Sequence, residues 1–162
     1  SLPSGRIFDL LAKDYFIIIS GLMIKKKIFD RVGYFNQNFN IIGDFDLVMK
    51  MSKTFRAHSM NKPMIFYRYH ENNFSKINTE MHFDEFKVWF EDQNQSNDEY
   101  FINNKKYFER KLISLEITHL LLNGNKNMYL FKKIINFPII QKKIKYLIAF
   151  FISKKIIKYL MK

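Results

Sequence analysis

Gly43-Asp44-Phe45-Asp46-Leu47-Val48-Met49-Lys50 sets two carboxylates at the threshold of a helical pattern. Leu47, Val48 and Met51 follow at the spacing of one helical face, so that face buries while Asp44 stays at the entrance. An aspartate there is a favoured N-cap, because its carboxylate accepts hydrogen bonds from the unpaired amides of the first turn. The same placement suits a general base, since the carboxylate points out of the helix end toward solvent or a ligand. Asp46 reads either as a first-turn acid favoured by the helix dipole or as a support to Asp44.

Working outward, residues 5–13 read as a short helix with Ile7, Phe8, Leu11 and Ala12 on one face. The apolar, β-branched run 15–19 reads as a buried strand. Ser20-Gly21 breaks it, and Leu22-Met23-Ile24 forms a second short strand. Residues 25–32 make a helix stopped by Gly33. Residues 56–69 read as two strands around the turn Asn61-Lys62-Pro63. Ser75 caps a helix over 75–93 on which Trp89 faces a core or an interface, and 94–98 is a polar linker. Beyond it, Phe101, Phe108, Leu112, Leu115, His119 and Leu122 line a long helix that Gly124 ends. Two more helices follow, over 126–136 and from Pro138 to about 160. The expected organisation is a mixed α/β part over 1–95 and a basic helical extension over 96–162.

Composition limits the classes of function. A hydrophobic content of 48% in 162 residues supports a packed core and excludes a disordered tail. The absence of cysteine excludes disulfides and thiolate metal sites, and points to a reducing, cytoplasmic setting. No apolar run reaches the roughly 20 residues that span a bilayer. The opening Ser-Leu-Pro-Ser-Gly-Arg, without an initiator Met, leads us to expect part of a longer protein.

The net charge of +12 is not evenly spread. Residues 1–99 hold 13 basic and 13 acidic side chains, whereas 100–162 hold 14 basic and two acidic ones. A partner selected by charge therefore meets the C-terminal part. There, over 139–161, Ile140, Ile144, Leu147, Ile148 and Phe151 form an apolar helical stripe. Lys142, Lys143, Lys145, Lys154, Lys155 and Lys158 flank it. Such a helix either lies in an anionic membrane interface or packs on its own domain with a solvated lysine face. Nucleic acid is not expected, because the lysines cluster around aliphatic stripes rather than exposed aromatics.

Four motifs occur in order: Gly-Leu-Met-Ile-Lys-Lys (21–26), Val-Gly-Tyr-Phe-Asn (32–36), Gly-Asp-Phe-Asp-Leu (43–47) and Tyr-Arg-Tyr-His-Glu-Asn-Asn-Phe-Ser (67–75). This succession, over about residues 5–90, resembles the C-terminal half of the catalytic domain of family 2 glycosyltransferases. The resemblance implies an α/β class: a partial GT-A (Rossmann-like) domain, its acceptor side, without the donor-binding half. It implies inverting sugar transfer from a UDP- or dTDP-sugar to a glycan or lipid-linked acceptor, in surface-polysaccharide synthesis at the inner face of the cytoplasmic membrane. By position, Asp44 matches the general base that takes the acceptor hydroxyl's proton, with Asp46 supporting it. Arg68, His70 and Lys25 fall where a diphosphate is bound, and His70 also where a metal is touched. A divalent cation, Mg²⁺ or Mn²⁺, is implied for the complete enzyme, with its main ligands outside this chain. Gly43 stands where many relatives carry Glu, which weakens a two-carboxylate role. Asp44-Phe45-Asp46 spells Asp-x-Asp, but it lacks preceding βαβ units and is not read as the metal motif. On this reading the chain alone is inactive. The alternative is a non-catalytic basic module that binds a membrane or nucleic acid.

Overall fold

The computed structural model describes residues 3–66, 68, 78–152 and 157. Among them are seven α-helices: α1 (Phe8–Lys13), α2 (Lys26–Val32), α3 (Gly43–Thr54), α4 (Thr79–Gln95), α5 (Glu99–Asn123), α6 (Met128–Ile135) and α7 (Ile140–Phe151). A 3₁₀ turn covers Ile19–Gly21. The described residues contain no strand and no sheet. Gly5 and Ala57 form one isolated antiparallel bridge, Gly5 N–H to Ala57 O at 2.8 Å and the return bond at 2.9 Å.

That architecture overturns the expected α/β GT-A domain and, with it, the resemblance to family 2 glycosyltransferases. Among the described residues the strands expected over 15–19, 22–24 and 56–69 are not formed. The backbone is extended at Ile18 and Leu22 and at the flanking Asp14, Lys25 and Phe55, but the described residues supply no ladder partner. β propensity describes fit to a pleated, half-buried surface, and without a partner strand that fit has nothing to act on. Tyr67 and Tyr69 lie outside the described residues.

The helices follow local rules closely. Gly33 (φ 80°) ends α2 and Gly124 (φ 77°, left-handed) ends α5, both conformations that an L side chain resists. Asp98, which had read as linker, is the N-cap of α5 and accepts from Phe101 N–H at 2.9 Å. Lys53, from the last turn of α3, reaches the same carboxylate at 2.8 Å. Burial alone would raise the Asp98 pKa, but Lys53 and the Phe101 and Tyr100 amides outweigh it and hold the group low. Asn127 caps α6 through Leu130 N–H. Ser75 lies outside the described residues, and Asn78 at the start of α4 makes no side-chain cap bond.

Two cores share α5. The first packs α1, α3 and α4 against its N-terminal half, with Leu11, Leu47, Met49, Phe86, Trp89, Phe101 and Phe108 buried. The second packs α6 and α7 against its C-terminal half, around Ile117, Leu121, Leu130, Ile134 and Ala149. Trp89 centres the first core, its ring 4.8 Å from Phe45, 5.4 Å from Phe86 and 5.2 Å from Phe108. Asn104 of α5 ties α1 through Asp9 at 2.7 Å. Tyr146 of α7 meets Ser114 of α5, hydroxyl to hydroxyl, at 2.6 Å.

The approach to α3 is held from a distance. The buried Glu85 carboxylate of α4 accepts from three successive amides, Asn40 at 2.7 Å, Ile41 at 2.8 Å and Ile42 at 3.1 Å. Consecutive N–H groups at a helix entrance form a concavity suited to an anion, and here a side chain 43 residues away from Ile42 fills it. Glu85→Ala leaves these donors without their acceptor, so urea unfolding should show a loss of about 3 kcal/mol. Glu85→Gln, which keeps one carbonyl oxygen, should lose less. A change below about 0.5 kcal/mol for Glu85→Ala would show that water replaces the carboxylate.

Candidate functional site

Asp44 is the second residue of α3, not its cap. Ile42 occupies the cap position without a side-chain bond, and the entrance amides belong to Glu85. The Asp44 carboxylate instead accepts from the adjacent Phe45 N–H at 2.7 Å. It is half-buried beside Tyr15, whose hydroxyl is buried and makes no well-aligned hydrogen bond. Burial raises the Asp44 pKa above the ordinary carboxylate range. The amides of Phe45 and Asp44 and the Tyr15 hydroxyl pull it down, but not enough to cancel the rise. Burial and the Asp44 charge together push the Tyr15 hydroxyl well above its usual value. The result is a carboxylate that binds a proton more tightly than a solvated one, with a phenol at its side.

Asp46 has a different place. It is 2% exposed, takes Lys50 Nζ at 2.6 Å and accepts from Trp89 Nε1 at 3.2 Å. Both oxygens are engaged within the protein, so Asp46 acts on the α3–α4 contact and only indirectly on Asp44. The two carboxylates therefore do not make a metal pair, and among the described residues no group of three His, Asp or Glu is placed to hold a cation. Lys25 is exposed before α2, and Arg68 is exposed. His70, Asn73, Lys154, Lys155 and Lys158 lie outside the described residues. Asp44 and Asp46 are thus neighbours in sequence with separate surroundings, and neither is joined by Lys25 or Arg68 in a hydrogen bond or ion pair among the described residues.

Two surfaces stand out, and the sequence pattern points only to the second. The first is a groove of about 590 Å³ between the extended segments, floored by Ile7, Val48 and Met51 and walled by Phe16, Ile24, Phe55 and Ile65. Among the described residues its only side chains capable of charge are Arg56, His58 and Lys62, and no acid lines it. The second is on α7. Tyr146 and Ala149 bury against α5 and α6, whereas Ile140, Ile144, Ile148 and Phe151 are 71%, 53%, 50% and 75% exposed. Four of the five residues of the stripe expected there face away from the core, whereas Leu147 packs against it. Elsewhere, burial and the Lys111 charge lower the His82 pKa to about 4 against the opposing charge of Glu85, so this α4 imidazole is neutral near pH 7.

No family model, curated protein or solved structure matches the chain. The helical fold and the absence of a matching family both count against the glycosyltransferase resemblance, and the function rests on the surfaces themselves.

Because Asp44 has a raised pKa in the folded state, its contribution to stability is largest below the unfolded pKa and is lost as pH rises through the folded one. Asp44→Asn should therefore raise the thermal midpoint at pH 7–8, and the gain should vanish as the pH falls below about 4. Calorimetric scans across that range check it; a variant that is less stable at pH 7 would show that the ionised carboxylate holds the helix end.

Proposed function

We propose that the C-terminal helical unit attaches the protein to an anionic membrane surface, with α7 lying in the plane of the interface. The observation that carries this reading is the solvent-facing row Ile140, Ile144, Ile148 and Phe151. At ~100° per residue these four fall within about 80° of arc, and Lys143 and Lys145 lie about 100° to either side of its centre. That is the pattern of an interfacial helix, apolar toward the acyl boundary and basic toward the headgroups. The surplus of basic residues after residue 99 adds attraction to anionic lipid, about 1 kcal/mol per lysine near the surface. The helix runs for 12 residues, and no helix among the described residues is long and apolar enough to cross a bilayer. Attachment to the anionic inner leaflet of the cytoplasmic membrane fits these properties.

Removing the whole segment would also remove Tyr146, Ala149 and Ile157 from the second core. Surface substitutions are therefore the cleaner probe. In co-sedimentation with phosphatidylglycerol-containing vesicles, Ile144→Glu with Ile148→Glu should lower partitioning by about a hundredfold. Lys143→Glu with Lys145→Glu should lower it by about tenfold, with less effect in high salt. Equal binding by native and variant proteins, or equal binding to neutral vesicles, would refute the attachment.

A second reading concerns Asp44 alone. Its raised pKa and half-burial beside Tyr15 suit a general base that takes a proton from a hydroxyl acceptor. Sugar transfer from a UDP- or dTDP-sugar to a hydroxyl is one reaction such a base serves, here proposed without any GT-A frame or family resemblance and with no step assigned to a metal. Release of nucleoside diphosphate from such donors should fall at least about a hundredfold in Asp44→Asn. No release by the native protein, or equal release by the variant, removes this reading.

A further inference from the structure

The groove between the extended segments has an open backbone edge as well as apolar walls. In extended chain, the N–H and C=O groups of alternate residues point to opposite edges. Ala57 gives both of its groups to Gly5, and Ser59 N–H reaches the Ser4 hydroxyl at 2.9 Å. That edge of the segment is occupied. Arg56, His58 and Met60 belong to the other edge, and among the described residues their backbone groups make no hydrogen bond. The facing segment is alike: the backbone N–H groups of Phe16, Ile17, Met23 and Ile24 are unpaired among the described residues. The two segments converge where a Cβ on Gly21 would lie 3.4 Å from Ile65 Cδ1.

We propose that this groove takes an extended peptide from another protein by strand addition along Arg56, His58 and Met60, and that the peptide alternates apolar with acidic residues. Strand addition supplies what the site lacks, because the incoming backbone pairs the open edge while every second side chain enters the groove. A lipid chain would cover the apolar walls and leave the amides unpaired. Charge fixes the second half of the pattern. Arg56, His58 and Lys62 are solvent-exposed where they border the groove, and no acid lines it among the described residues, so carboxylates on the peptide's outward face meet cations and lysines meet repulsion. Met23, Met51, Met60 and Met64 give the walls adaptable side chains, suited to a range of apolar residues. This surface is separate from the α7 stripe and does not depend on membrane attachment.

The test uses the full chain and three synthetic peptides of about twelve residues: valine alternating with glutamate, valine alternating with lysine, and the first peptide N-methylated at every amide. Backbone hydrogen exchange should slow at Arg56, His58 and Met60 with the Val/Glu peptide. Arg56→Glu with Lys62→Glu should weaken that peptide by about tenfold and favour the lysine version. The N-methylated peptide should not bind, since it cannot pair the edge. The proposal fails if the Val/Glu peptide protects none of these amides at millimolar concentration. It also fails if the N-methylated or lysine peptide binds native protein equally well. Concentration-dependent protection without any peptide would mean that a second copy of the chain takes the edge, and would overturn the peptide assignment.

Discussion

Helices α3 and α4 hold each other by an exchange of carboxylates. Glu85 of α4 fills the amide concavity before α3, and Asp46 in the first turn of α3 receives the Trp89 indole of α4. Glu85 and Trp89 are four residues apart, one above the other on the same face, so a single stripe of α4 grips α3 at two levels. Trp89 then carries the contact into the first core, because its ring packs on Phe45 from α3 and Phe108 from α5. Buried charges are costly unless hydrogen-bonded, and both are: Glu85 by three amides, Asp46 by Lys50 and Trp89.

This exchange also explains why Asp44 is different from its neighbour. The amides leading into the helix are taken by Glu85 of α4 and the inner first-turn position by Asp46, so Asp44 carries neither task. It keeps the Phe45 amide and a buried tyrosine hydroxyl, too little to offset its own burial. A carboxylate left unfavourable in the resting fold is a feature of functional positions, where stability is given up for chemistry.

Much of the helical frame was legible because its signals are local. The apolar period placed α3 and α5, and Gly33 and Gly124 marked the stops of α2 and α5 within a residue. Asp44 and Asp46 were not separable in the same way. Both are acids in one first turn, and only the arrival of Glu85 and Trp89, some forty residues later, decides which is buried. The expected strands failed for a related reason. Residues 15–19 have the composition of a strand, but pairing is a property of two segments, and the described residues supply one bridge between Gly5 and Ala57. The C-terminal stripe was visible as a pattern. Its direction was not, since periodicity shows that a helix has an apolar face but not whether a core covers it.

The direction of the α7 stripe follows from how α5 divides its surface. Its C-terminal half already packs Ile117 and Leu121 against Leu130 and Ile134 of α6, and α7 joins this cluster through its small residue Ala149 and the hydroxyl-bearing Tyr146. Those residues define the inward face, and they lie on the side of the helix away from Ile140, Ile144 and Ile148. Rotating α7 to bury the isoleucines would remove the Tyr146–Ser114 hydrogen bond and drive bulky side chains into the space that Ala149 fills. The core therefore selects the exposed stripe actively: what fits inside leaves the longer apolar side chains outside, between Lys143 and Lys145.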